Sequence, residues 1–234
     1  MSANAQALSQ QEIFGAVAPE RTGPAVPAPR TSRWDPEDFA REQIRGLVRR
    51  VFLSGADHPV KQVVFSAAER HTDVARICDQ VGHALALETR SDIAVVSRGV
   101  GAVLVHDYFR RAPGAPVKSF SMPLAVNLWR VPEFILREPG GESAGTLNWL
   151  SCLAALRQEF EYAVIQGAPV GSSSEAALLG HLADGIILVL GAHSTRKATA
   201  CKIKETLQGT HARLLGTVLS DRKFPVPEGI YRRL

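Results

Sequence analysis

An α/β fold with a mostly parallel sheet covered by helices is the class this sequence predicts, and three observations over residues 160–222 predict it. The first is a series of short runs: Phe160–Val170 and Ile186–Leu190, each suited to a strand buried on both faces, and Leu214–Leu219 as a third strand. The second is helical patterning between them. Ser172, three residues ahead of Glu175, spells a capping-box start for a helix to about Ala183, and an amphipathic helix is expected over about Arg196–Leu207. The third is punctuation: Gly167-Ala168-Pro169 closes the first run and Asp184-Gly185 breaks the helix before the second. Strand, helix, strand, helix, strand is the order that builds a parallel sheet with helical crossovers.

The upstream chain extends this pattern. Asp35-Pro36 offers a capping acid and a proline at the first helical position, followed by Glu37 and Asp38 in the first turn. Phe39, Ile44, Leu47, Val48, Val51 and Phe52 then form an apolar stripe at helical spacing to about Ser54. Lys61–Ser66 reads as a strand, and His71-Thr72-Asp73-Val74 opens a helix to about Glu88 with Thr72 as its cap. Asp92–Gly99 is the next strand. Residues 100–124 are irregular and punctuated by Gly and Pro, with an apolar segment at Val100–Val105; Val126–Val131 is a strand and Thr146–Gln158 a helix. His83 reads as a satisfied side chain at the core edge, and Trp149 and Phe160 as packing residues. Residues 1–34, rich in Ala, Pro, Ser and Gln, lack the apolar content to offset ordering and read as a mobile tail, with a short amphipathic turn over Gln10–Val17. Residues 35–234 then form the domain.

Composition narrows the function classes. The chain has 234 residues, enough for one substantial core, and 45% of them are apolar. No apolar run approaches the roughly 20 residues that span a bilayer, and the N-terminus lacks the layout of a secretory signal. Cys78, Cys152 and Cys201, odd in number and widely spaced, argue for a reducing cytosol over a disulfide framework. A net charge of +4, with no more than two adjacent basic residues and no interleaved aromatics, gives nucleic-acid binding no support. The pairs Arg49-Arg50, Arg110-Arg111 and Arg232-Arg233 read as solvated surface in preference to an anionic-lipid contact. The seven histidines show no zinc-ligand spacing.

Phe160–Val170, Leu182-Ala183-Asp184-Gly185 leading into Leu188-Val189, Thr195-Arg196 and Arg213–Leu219 together resemble the last third of the bacterial tyrosine autokinases. These are cytoplasmic P-loop proteins of capsule and exopolysaccharide synthesis, related to the MinD/ParA-type ATPases. The resemblance covers most of residues 37–222 and implies a three-layer α/β/α, P-loop NTPase-like fold. It also shows where the family's nucleotide machinery should stand. A phosphate loop needs glycines so that backbone N–H groups converge on a phosphate, a lysine for its charge, and a Ser or Thr for Mg²⁺. Here the corresponding stretch is Ala67-Ala68-Glu69-Arg70-His71-Thr72, shorter than the family's loop and without glycine or lysine.

Other positions depart in the same direction. Ser97 and Gly99 fall near two family aspartates, Gln166 stands at the Walker-B aspartate, and Ser220 replaces an asparagine that reads adenine. The sequence ends Tyr231-Arg232-Arg233-Leu234, with one tyrosine where the family carries a phosphorylatable cluster. Glu69, Arg70, His71, Thr72, Ser97, Gly99, Gln166 and Ser220 are therefore read as a degenerate nucleotide site, with Arg70 or His71 touching an anion as the alternative to a plain turn. Glu42 and Arg45 match the first two positions of a Glu-x-x-Arg-x-x-Arg pattern that helps family members form rings; Val48 occupies the third. The pair is a candidate oligomer contact.

The resemblance and its departures imply a non-catalytic, nucleotide-binding-deficient protein without catalytic residues, metal or cofactor. Its expected role is that of a cytoplasmic regulatory or interaction component of exopolysaccharide or capsule biosynthesis and export. The implied partners are a polysaccharide co-polymerase or an active kinase relative at the inner membrane face, or further copies of itself, with no nucleic acid. Three alternatives stand beside it. One is an active tyrosine autokinase or ATPase with an atypical phosphate loop, and another is a cell-division or partitioning relative. The third is a serine hydrolase: Gly141-Glu142-Ser143-Ala144-Gly145 spells G-x-S-x-G, with Asp184 and then His193 or His211 downstream. Arg137-Glu138-Pro139-Gly140 precedes it as a polar turn, where a nucleophile elbow needs a strand.

Overall fold

The structure is a computed structural model in which residues 36–55, 59–98, 116–133 and 146–221 are described. In chain order these form α1 (Pro36–Val51), β1 (Gln62–Ala67), α2 (Val74–Thr89), β2 (Ile93–Ser97), a 3₁₀ turn (Val117–Phe120), β3 (Met122–Ala125) and β4 (Leu128–Pro132). There follow α3 (Thr146–Glu159), β5 (Tyr162–Gln166), α4 (Glu175–Leu182), β6 (Gly185–Gly191), α5 (Lys197–Gly209) and β7 (Leu214–Ser220). The expected tail over 1–34, Gly99, Val100–Val105, Ser143 and Tyr231 lie outside the described residues.

The seven strands make one sheet in the order β3-β4-β2-β5-β1-β6-β7. Every neighbouring pair is parallel except β3–β4. From β1 the chain crosses by α2 to β2 on one side, whereas from β5 it crosses by α4 to β6 on the other. The two crossovers diverge beside β1, so a crevice is expected at the C-terminal ends of β1 and β5.

Alternation along the buried strands sorts two cores onto the two faces. Val63, Phe65, Ile93, Val95, Val164, Ile187 and Val189 pack under α1 and α2, with Val48, Val81 and Leu85. Val64, Ala94, Val96, Ala163, Ile165, Ile186 and Leu188 pack under α3, α4 and α5, with Trp149, Leu156 and Leu207. Each such aliphatic side chain contributes about 1.5–3 kcal/mol on burial. Trp149 and Phe160 are buried as expected.

The opposite, N-terminal ends of the strands are clamped by polar groups. The Asp184 carboxylate accepts the Lys61 and Gln62 backbone N–H groups (2.8 and 2.7 Å) and an Arg157 guanidinium N–H (2.6 Å). Arg157 Nε donates to the side chain of the buried Gln62, whose amide donates to the Leu153 carbonyl. Thus β1, β6 and α3 are tied together where they start or pass.

Several local expectations change. Met122–Ala125 is a strand that the sequence hides, because Pro123 interrupts it; an antiparallel edge tolerates a proline. Val126 lies in the tight turn to β4 and is almost fully exposed, so that strand starts at Leu128. His83 is exposed, its Nδ1 bonded to the Asp79 carbonyl one turn back, not at the core edge. Phe39 is also largely exposed, while Val48 and Phe52 carry the buried face of α1.

Two measurements test the packing. A Cβ on Gly82 would lie 2.4 Å from Val95 Cγ2, because α2 runs close over β2. Gly82→Ala is therefore expected to lower unfolding free energy by about 1–3 kcal/mol in urea denaturation, although alanine is the better helix former. Burial pushes the Cys152 thiol up to about 11 and the enclosed Cys78 thiol higher still, while Cys201 is exposed. A native disulfide-exchange titration should thus show one fast thiol, with the other two reacting only on unfolding.

Candidate functional site

At the expected crevice the structure has a cleft of about 510 Å³, lined from the ends of β1, β2 and β5 and the turns that follow. Its shape comes from main chain pressed on main chain. The Gly167 and Val170 N–H groups donate to the Phe65 and Ala67 carbonyls (2.8 and 3.0 Å), and the Ser66 hydroxyl donates to the Ala168 carbonyl (2.5 Å). That bond satisfies the one hydroxyl facing inward from β1, since Ser66 is fully buried. A Cβ on Gly171 would sit 2.6 Å from the Ala68 carbonyl oxygen, so only glycine permits the approach. On its other side Ala68 donates its N–H to the Val189 carbonyl (3.0 Å).

The turn from Ala68 into α2 closes on itself. The Thr72 N–H donates to the Glu69 carbonyl and the Val74 N–H to the Thr72 carbonyl. Asp73, not Thr72, caps the helix, its carboxylate accepting the Arg76 N–H (3.1 Å). An aspartate one residue later supplies a charged acceptor to the positive end of α2, which outcompetes the neutral threonine hydroxyl. Thr72 Oγ1 is left buried without a partner among the described residues. Glu69 pairs with His71 (2.9 Å).

α4 also starts differently from its sequence pattern. Ser174 is its cap position, Ser173 Oγ accepts the Glu175 N–H, and the Ser172 hydroxyl donates to the Pro169 carbonyl, so no Ser172–Glu175 capping box forms. The tight 167–171 segment spends Ser172 on its own turn.

Of the expected site positions, Arg70, Thr72 and Gln166 meet at the cleft. Gln166 Oε1 accepts the Arg98 N–H (2.9 Å), so the residue at the Walker-B place splices the ends of β5 and β2. Ser97 is buried at the end of β2. Ser220 ends β7, where its hydroxyl bonds the Leu190 carbonyl and the Asp221 carboxylate, away from the cleft lining. Sequence reasoning missed Arg98, Ser172, Ser173 and Glu175 as lining residues. Arg98 was legible as the residue after a parallel strand, where α/β sheets place ligand contacts.

Among the described residues no group of three His, Cys, Asp or Glu side chains could hold a metal ion. For the hydrolase pattern, Ser143 lies outside the described residues and His211 precedes β7; Asp184 lies before β6 with both carboxylate oxygens engaged, whereas His193 follows the strand's other end. Seven strand residues separate the two by about 20 Å. Glu42 and Arg45 sit one turn apart on the exposed side of α1, 3.9 Å from each other.

No protein-family profile matches the chain. Over 65 residues it is 31% identical to the tyrosine-protein kinase YwqD of Bacillus subtilis, a match that covers 28% of this chain and only 27% of the relative. Among solved structures, the chimerical protein CapA2B2 aligns with a TM-score of 0.59 at 16% identity, covering 76% of this chain and 83% of that one. The kinase domain of the Escherichia coli tyrosine kinase ETK aligns with a TM-score of 0.57 at 11% identity, over 80% and 79% of the two chains. The cell-division protein MinD of Aquifex aeolicus aligns with a TM-score of 0.51 at 11% identity, over 74% and 73%. The chain thus resembles bacterial tyrosine kinases in sequence over a short stretch, and its fold is the three-layer, P-loop NTPase-like sheet of these proteins.

The cap assignment is open to measurement. Asp73→Ala is expected to lower unfolding free energy by about 0.5–2 kcal/mol, whereas Thr72→Val, which removes an unbonded hydroxyl, should cost less than Asp73→Ala in the same urea titration.

Proposed function

We propose that this chain is a kinase-like domain deficient in nucleotide binding, serving as a regulatory or interaction component of bacterial exopolysaccharide or capsule biosynthesis and export. One observation carries the reading: the turn after β1 has no glycine or lysine, and its helix start is already capped by the Asp73 carboxylate. A triphosphate lodged there would find two acidic side chains, Asp73 and Glu69, flanking Arg70, in place of converging amides and a lysine. A single like charge about 4 Å away costs roughly 1–4 kcal/mol, depending on solvent access. Gln166 adds no compensation, since a neutral amide binds Mg²⁺ weakly and its oxygen is committed to Arg98.

The pathway assignment draws on the likeness to tyrosine kinases and on nothing in the cleft itself. In this reading the domain works at the cytoplasmic face of the inner membrane, through a polysaccharide co-polymerase or an active kinase relative. The exposed Glu42 and Arg45 of α1 are the residues offered for assembly with copies or with that relative. Among the described residues no helix is long and apolar enough to cross a membrane. An active autokinase with an atypical loop is the rival, favoured by the stretch of identity to a tyrosine-protein kinase.

Equilibrium titration with a fluorescent ATP analogue separates the two. The expected result is no saturable, Mg²⁺-dependent binding below about 1 mM, a free energy weaker than roughly −4 kcal/mol. Sub-millimolar affinity that is lost when Mg²⁺ is withdrawn would overturn the proposal.

A further inference from the structure

The cleft that the degenerate turn leaves behind is neither filled nor apolar, and its polar groups are sorted by charge. About 510 Å³ is the volume of some 17 water molecules at ~30 Å³ each, within the range of sites for small organic ligands. On the β1–α2 side stands Arg70, exposed and without an acidic partner among the described residues. At the end of β2 stands Arg98, whose Nε contacts Glu133 at 3.3 Å. On the α4 side stands Glu175, half-buried, its carboxylate without an ion-pair partner among the described residues. Beside it are the hydroxyls of Ser172 and Ser173, and between the two sides the Gln166 amide.

A bare anion suits only half of this lining, because Glu175 repels it. A cation suits only the other half. The arrangement fits a ligand with an anionic group for the arginines and hydroxyls that can donate to the carboxylate and serine oxygens. We propose that the cleft binds a small phosphorylated polyol, a sugar phosphate in its simplest form, without a metal ion. The phosphate lies against Arg70, with Arg98 behind it, since guanidinium groups meet phosphate oxygens with paired N–H donors. Glu175 accepts sugar hydroxyls, as does Ser172 or Ser173. Mg²⁺ is not required in the complex, because the guanidinium groups supply the positive charge and the neutral Gln166 amide has its oxygen committed to the Arg98 N–H.

This inference rests on the reading of the turn as unable to hold a triphosphate, and one set of titrations tells their failures apart. Full-length protein in chelating-resin-treated buffer is titrated calorimetrically with glucose 1-phosphate, with inorganic phosphate, with glucose and with Mg-ATP. Glucose 1-phosphate is expected to bind saturably, more tightly than inorganic phosphate, and with the same affinity after Mg²⁺ is added; glucose alone gives no heat. Arg70→Ala, an exposed substitution checked by its melting temperature, should weaken glucose 1-phosphate by about tenfold or more. Glu175→Gln should weaken glucose 1-phosphate while leaving inorganic phosphate unchanged or tighter. Binding of Mg-ATP would defeat the reading of the turn. Silence toward glucose 1-phosphate in protein that also ignores Mg-ATP would overturn only the sugar-phosphate site, as would equal affinities for wild type and Arg70→Ala.

Discussion

Between the C-terminal ends of β1 and β5 the backbone is packed against itself, with Gly171 against the Ala68 carbonyl and three hydrogen bonds joining residues 65–67 to 167–170. Ala68 is held from the far side as well, through Val189. A phosphate loop works by bulging outward so that successive N–H groups face a common centre. Here the first residue of the turn is pinned to both neighbouring strands, and the remaining residues reach α2 in a tight succession of turns. The polar character of the cleft follows. Side chains of both signs line it, Arg70 and Arg98 with Glu175.

How well the sequence foretold this depended on the kind of signal. Ile186–Leu190 became β6 because an uninterrupted aliphatic stretch of that length has little alternative to a strand buried between helices, whereas Leu214–Leu219, broken by Gly216 and Thr217, became the partly exposed edge strand β7. Met122–Ala125 escaped because Pro123 argues against any strand but an edge one, and edge status is a property of the whole sheet. Caps were read one or two residues out: Asp73 and Ser174 hold positions first given to Thr72 and Ser172, since neighbouring polar residues compete locally and the backbone path decides. The cleft residues Arg70, Thr72 and Gln166 came from setting the chain beside the family it resembles. Glu175 was noticed for the wrong reason, as half of a capping box that does not form.

Fold and site chemistry rest on different residues in this chain. The two cores lie on opposite faces of the sheet and draw on alternate residues of the same strands, so the architecture shared with the kinase domains and with MinD is explained by aliphatic packing alone. None of that packing requires the residues with which such a sheet holds a nucleotide. A likeness in architecture at 11–16% identity accordingly carries the sheet and leaves the chemistry to be argued from the cleft.

The Asp184 clamp lies across the sheet from the cleft, tying β1, β6 and α3 through two main-chain amides and Arg157. Its placement puts this bracing at one end of the strands and the charged side chains of the cleft, Arg70 and Glu175, at the other. Over generations, substitutions around Arg70 and Glu175 would meet little penalty from folding, while those at Asp184 or Gln62 would be purged whatever the cleft binds. Such a division lets the lining of the cleft change what it binds while the sheet keeps its form.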